Sequence, residues 1–209
     1  MKSLFRNLPD GVNHLENGGT LAVYLACHAL QRGYQAIIYN WNLQVFDPTW
    51  FPGDAKSLTR CLEEQREFKQ DSRIQEVTSA YQRFLELGGE LRMEDLSSEL
   101  IREFLNQNMP ILTGLSATWL YHESREIGYE STPDDIRGTP QGHFVVLCGY
   151  EHEQRRVLVA DPLHPDPNSL QGQKSLIKLN RVISAITLGI VTYDANLLIL
   201  IPPDSPSEI

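Results

Sequence analysis

QGHFVVLCGYEHEQRRVLVADP, residues Gln141 to Pro162, holds two apolar runs, His143 to Tyr150 and Arg156 to Ala160, joined by the polar Glu151 to Arg155. Two such runs around a charged connection predict a β-hairpin. In an antiparallel pair the position numbers of facing residues add to a constant, and a turn centred near His152 and Glu153 sets it at about 305. His143 then lies beside Asp161 or Pro162. An imidazole opening one strand and a carboxylate closing its neighbour has the layout of a base with the group that orients it. These are the second and third members of a nucleophile, base and acid triad. The first member has to come from elsewhere.

Immediately upstream, Gly128 to Thr139 (GYESTPDDIRGT) reads as an acidic loop and Ala117 to Ile127 as a helical segment. PILTGLS, opening at Pro110, is apolar and β-branched without a charge, as a buried strand requires. Before it, SSELIREFLN (Ser97 to Asn106) predicts a capped helix, and Glu90 to Met93 a short strand after Gly88 and Gly89. Two amphipathic helices are expected at Ala55 to Lys69 and Ser72 to Leu87, the second with Val77, Tyr81, Phe84 and Leu85 at helical spacing. NWNLQVFDPTWFPG (Asn40 to Gly53) is an ordered aromatic loop, and YQAIIY (Tyr34 to Tyr39) a strand. TLAVYLACHALQR is apolar nearly all round, so a helix from a Thr20 cap to about Arg32 is expected to be buried on several sides. Downstream of the hairpin, HPDPNSLQGQ is a loop, Asn180 to Leu188 a helix and NLLILI (Asn196 to Ile201) a last strand.

Helices come first and most of the strands last, which predicts an α+β fold with an N-terminal helical part and a C-terminal antiparallel sheet. The chain reads as a single domain over 1–209, with 1–19 irregular, 20–107 mostly helical and 108–209 mostly sheet. A net charge of -9, with no block among 18 basic residues, opposes a nucleic-acid surface. No apolar run approaches the roughly 20 residues of a membrane span, and the opening MKSLFRNLPDG lacks a secretion-signal core. A cytoplasmic location is expected. Cys27, Cys61 and Cys148 are widely spaced, which fits a reducing compartment and offers no zinc ligand pattern.

GHFVVLCGY followed by VLVADP resembles the His and Asp segments of the bacteriocin-processing leader peptidases, family thirty-nine of the papain-like cysteine peptidases. ENGGTLAVYLACHALQRGY, NLQVFDPTWF, LTGLSATWLY and LGIVTYDANLLIL resemble stand-alone bacterial relatives of those domains, so the likeness runs from Glu16 to Leu200. The resemblance implies a papain-like α+β domain, with His143 as general base and Asp161 as the residue that orients it. Its nucleophile is a Cys in a DCG-like or TCGP-like motif at the start of a buried helix, preceded by a Gln that completes the oxyanion hole. This chain has no such motif. The helix after Thr20 resembles a later helix of the family, so the catalytic segment would precede Met1.

None of the three cysteines is expected to fill the gap. Cys148 lies five residues from His143 on one strand, roughly 16 Å away and on the opposite face. Cys27 is mid-helix, where the field of a helix N-terminus is absent, and Cys61 has acidic neighbours. Thr113 and Ser116, at the end of the buried strand, are alternative nucleophiles, though strand-end hydroxyls usually serve as caps. Asp161, His164 and Asp166, or His122, Glu123 and Glu126, are acceptable hard-metal ligands without a recognised spacing. No metal and no cofactor are therefore expected. Gly18, Gly19 and Thr20 could receive an anion at a helix start, but more often such residues only form the turn. The aromatics Trp41, Phe46, Trp50, Phe51, Trp119 and Tyr121 belong either to a peptide groove or to the core.

Two functional expectations follow. One is a recognition module for a peptide or an amide-containing small molecule, with a relict His143 and Asp161 pair and no turnover. The other is a thiol hydrolase acting on peptide or amide bonds, its nucleophile on a segment outside this sequence. Loss of a central helix would also uncover apolar surface on the Thr20 helix and on Phe144 to Leu147. Either Met1 to Asn17 or a second copy of the chain is expected to cover it.

Overall fold

Ala22, Val23, Ala26 and Ala29 recur at helical spacing and form the buried face of α1 (Ala22–Leu30), while Tyr24, Leu25, Cys27, His28 and Leu30 stay half-buried. The helix is thus buried on one face, not on several. Its N-cap is Leu21, which makes no side-chain capping bond, so Thr20 does not cap it. This computed structural model describes residues 20–128, 131–162, 173–192 and 195–203. They group into two units: residues 20–94 with 198–203, called the helical unit, and residues 95–197, the sheet unit.

In the helical unit α1 leads into β1 (Gln35–Asn40) and a 3-10 turn at Pro48–Trp50. The helices α2 (Ala55–Phe68) and α3 (Ser72–Glu86) begin where a carboxylate accepts an otherwise unpaired backbone N–H, Asp54 from Ser57 at 2.9 Å and Asp71 from Ile74 at 3.0 Å. α3 stops at Gly88, whose φ of +85° suits glycine, and Gly89 lies so close to Phe84 that a Cβ there would meet the ring at 2.2 Å. The chain can then turn into β2 (Glu90–Arg92), which pairs in parallel with β1. This pair is parallel because the α2 and α3 helices intervene as a crossover. Ile38, Leu62 and Phe84 fill the core. A buried polar cluster there is satisfied: Asn40 donates from Nδ2 to the Tyr81 hydroxyl at 2.6 Å and accepts the Asn42 N–H at 2.7 Å.

The sheet unit opens with α4 (Ser98–Asn106), capped by Ser97, whose hydroxyl accepts the Leu100 N–H. There follow β3 (Ile111–Ser116), α5 (Ala117–Tyr121), the short pair β4 (Glu126–Ile127) and β5 (Thr132–Pro133), then β6 (Gly142–Glu151), β7 (Arg156–Ala160), β8 (Lys174–Lys178) and α6 (Leu179–Leu188). Strands β3, β6, β7 and β8 are neighbours in that order, and every pairing is antiparallel. A final strand, β9 (Asn196–Ile201), starts in this unit and ends in the helical one. Alternation along β6 buries Val145 and Leu147, and α4 and α6 pack against the sheet with Ile101, Phe104, Val182 and Ile186. Each large apolar side chain buried this way contributes about 1.5–3 kcal/mol.

The chain is α+β with helices first and a mostly antiparallel sheet, as its element order predicts. Three details differ. The segment after β3 stays helical only to Tyr121, because His122 takes a left-handed φ of 57°. The Lys174–Lys178 stretch, to which the sequence reading gives no element, is a strand. Its two lysines suit a sheet edge, where charge discourages pairing with another chain. The hairpin register slips by one at Cys148, with Leu147 facing Val159 but Gly149 facing Leu158.

The apolar surface expected to be uncovered is also narrower than a lost helix implies. Leu21, Val145 and Leu147 are buried, while Leu25, Leu30, Phe144 and Val146 are half-buried. Met1 to Asn17, the segment expected to fold over it, lies outside the described residues.

Candidate active site

β6 begins at Gly142, and its pairing with β3 sets Ser116 opposite Gly142 and Leu115 opposite His143. Leu115, across from His143, and Val145, two residues along its strand, are both buried. β7 delivers Asp161 at its far end, where the Asp161 N–H donates to the Gln173 carbonyl at 2.9 Å and extends the β7–β8 ladder by one residue. Because the last hairpin pair is Val146 with Ala160, Asp161 stands diagonal to His143 instead of directly across from it. A diagonal neighbour on one sheet face remains within reach of long side chains. His143 Nε2 and Asp161 Oδ1 are 2.6 Å apart.

The Asp161 side chain is 1% exposed and that of His143 11%. A carboxylate so far from solvent needs donors on both oxygens. The second is the hydroxyl of Tyr121, the last residue of α5, which donates to Asp161 Oδ2. Burial, and then the hydrogen bond and charge of Asp161, push the Tyr121 phenol well above its ordinary range, so it remains a donor. A carboxylate only accepts, so Nε2 carries its proton toward Asp161, and in a neutral imidazole the acceptor lone pair then belongs to Nδ1. That is the atom able to take a proton from a thiol or hydrogen-bond a ligand N–H.

α5 is fixed to the start of β6. Ser116 Oγ accepts the Trp119 N–H at 3.3 Å, the Ala117 N–H donates to the Gln141 carbonyl at 2.9 Å, and the Gln141 N–H donates to Thr118 Oγ1 at 2.9 Å. Trp119 is 45% exposed on the same short helix, with its ring 5.8 Å from that of His122 in an edge-to-face contact.

The other candidate groups are committed elsewhere. Thr113 is fully buried and faces Val145, and its hydroxyl donates to the Asn196 carbonyl at 2.7 Å. Ser116 serves as the α5 cap. The Cys148 thiol donates to the Leu158 carbonyl at 3.4 Å. In the helical unit, Cys27 lies mid-helix on α1 and lines a groove of about 480 Å³ with Tyr24, His28, Glu76 and Arg83. Burial pushes its thiol up to about 11. Cys61 lies in the middle of α2, with Glu63 and Glu64 following.

Among the aromatics, Phe46 packs edge-to-face on Tyr81 and Phe51, and Trp41 Nε1 donates to the Glu94 carbonyl. His164, Asp166, Gly18 and Gly19 lie outside the described residues. Among the described residues, no three His, Cys, Asp or Glu side chains group as metal ligands, and no helix is long and apolar enough to cross a membrane.

Tyr121 is the member of this candidate site that sequence reasoning missed, having been counted only among aromatics for a groove or the core. The signal available was stoichiometric: one imidazole satisfies one oxygen of a buried carboxylate, and a second donor had to come from a neighbouring element.

The model of the Peptidase_C39 like family matches residues 53–177, more than half of the chain, and this span includes Tyr121, His143 and Asp161. No curated protein and no solved structure matches the chain.

Proposed function

The chain belongs to the Peptidase_C39 like family, and on that premise we propose that it recognises a peptide or an amide-containing small molecule at His143 without turning it over. The observation that carries this reading is the 2.6 Å contact between His143 Nε2 and a nearly solvent-free Asp161. That contact fixes the imidazole plane, and with Nε2 turned to Asp161 the nitrogen of a neutral ring that accepts hydrogen bonds, such as that of an amide N–H, is Nδ1. Absence of turnover is supported by the cysteines. Cys148 donates to a strand carbonyl, Cys27 has a thiol whose burial disfavours the thiolate, and Cys61 is mid-helix, with the adjacent Arg60 paired to Glu64.

Calorimetric titration with short peptide amides tests the reading. Wild type is expected to release heat that weakens at least tenfold in affinity in His143→Ala. Equal affinities in the two proteins would remove His143 from the site.

One observation favours a second reading, that of a thiol hydrolase. Nε2 facing the carboxylate leaves proton acceptance to Nδ1, as a general base for a thiol requires. On this reading the cysteine lies on a segment outside the present sequence. Translating the DNA upstream of Met1 in frame and inspecting about 40 codons, enough for one helix and its connections, for a Gln followed by a Cys-Gly pair separates the two.

A further inference from the structure

Both oxygens of the Asp161 carboxylate are engaged, Oδ1 by His143 and Oδ2 by Tyr121. Resting on the reading of His143 and Asp161 as a functional pair, we propose that Tyr121 is a positioning residue. It shares the Asp161 carboxylate with His143, so that the donor strength of its hydroxyl sets how tightly Asp161 holds the imidazole.

The negative charge of a carboxylate is delocalised over both oxygens. A donor on Oδ2 therefore draws electron density from Oδ1 and weakens it as an acceptor. Bulk water does not replace either donor, because the side chain is 1% exposed. Tyr121 is suited to the role because burial and the adjacent carboxylate keep its hydroxyl protonated.

Its place is fixed from both sides. α5 is bonded to Gln141, two residues before His143, by the Ala117 N–H and the Thr118 hydroxyl. The left-handed His122 ends the helix directly after Tyr121, with its N–H on the Thr118 carbonyl. The donors on Oδ1 and Oδ2 thus come from elements hydrogen-bonded to each other, a few residues from where they act. Random packing of a tyrosine beside a carboxylate does not require that second set of bonds.

The test is the nuclear magnetic resonance of the His143 Nε2–H proton in the full chain, assigned by its loss in His143→Gln. Three hydroxyl states are compared: wild type, Tyr121→Phe, and protein with 3-fluorotyrosine incorporated at Tyr121, which keeps the shape and strengthens the donor. The Nε2–H signal is expected to move downfield in Tyr121→Phe, where the draw of the hydroxyl on Oδ2 is gone, and upfield with fluorotyrosine. A signal that stays in place, or moves in one direction in both, overturns the proposal.

If Tyr121→Phe loses the dispersed amide spectrum of a folded protein, the fluorotyrosine arm decides alone: upfield movement supports the proposal and none overturns it. Asp161→Asn separates this failure from failure of the underlying pair. A His143 signal insensitive to Asp161→Asn removes the pair itself, whereas one that responds to Asp161→Asn but not to the Tyr121 series removes only the role of Tyr121.

Discussion

Two ionisable side chains, Asp161 in the sheet unit and Cys27 in the helical unit, are withdrawn from water to different ends. Asp161 has its backbone N–H on Gln173, one oxygen on His143 and the other on Tyr121. Cys27 has only the half-buried face of α1 and the groove beside it, and burial pushes its thiol up to about 11. Burial alone disfavours a charge, while burial with matched donors holds a charge where chemistry or recognition can use it. A cysteine and a carboxylate are therefore not candidate site residues by type. Their partners decide.

The largest expected effect of breaking the comparison is on the satisfied side. Asp161→Ala leaves the Tyr121 hydroxyl and the His143 N–H without their acceptor, and each unsatisfied buried donor costs about 1–3 kcal/mol. Urea unfolding should therefore show a loss of about 3 kcal/mol. A loss under about 1 kcal/mol would mean that water or another residue takes over both donors.

Tyr121→Phe removes one hydrogen bond to a charged group, so a loss of about 2 kcal/mol is expected in the same assay.

On the thiol side the effects are smaller. A thiol held at about 11 has far less thiolate at pH 8 than a free cysteine, and only part of that deficit is recovered by the greater nucleophilicity of a high-pKa thiolate. Alkylation of Cys27, followed by mass spectrometry of the modified peptide, should run about tenfold slower than that of a free thiol. A rate faster than the free thiol would reverse the assignment of Cys27 as inert.

The same shift has a consequence for stability. The folded-state thiol is raised above its ordinary value of 9.0, so its contribution is complete below about 9 and declines as pH rises through about 11. Cys27→Ala should flatten that alkaline decline, yet change stability at pH 7 by less than about 1 kcal/mol, since only a half-buried thiol is removed. A decline of equal steepness in Cys27→Ala assigns it to other groups.

Much of this contrast was legible before the fold was described. The apolar runs His143 to Tyr150 and Arg156 to Ala160 mark two strands, and the helix starts expected at Ala55, Ser72 and Ser97 fall within a residue of those found. Mid-helix placement of Cys27 follows from its position within the apolar stretch TLAVYLACHALQR. What escaped was set by longer-range or finer geometry. The bulge at Cys148 shifts one strand against the other by a residue, and nothing in VVLCGY announces it. The parallel partner of β1 is β2, after two intervening helices. KSLIK is too short and too charged at its ends to stand out from the loop before it, and becomes a strand through pairing with β7. Tyr121 reaches Asp161 only because α5 ends after five residues at a left-handed His122, a conformation that a non-glycine sequence does not signal.

The central claim, that this chain uses His143 to recognise an amide without cleaving it, is tested most directly by incubating the purified protein with peptide amides and thioesters and following products by mass spectrometry. The account predicts intact ligands after prolonged incubation, in a protein that still binds them and loses binding in His143→Ala. Product formation that disappears in Cys27→Ala, Cys61→Ala or Cys148→Ala would contradict it, because one of these thiols would then be the nucleophile.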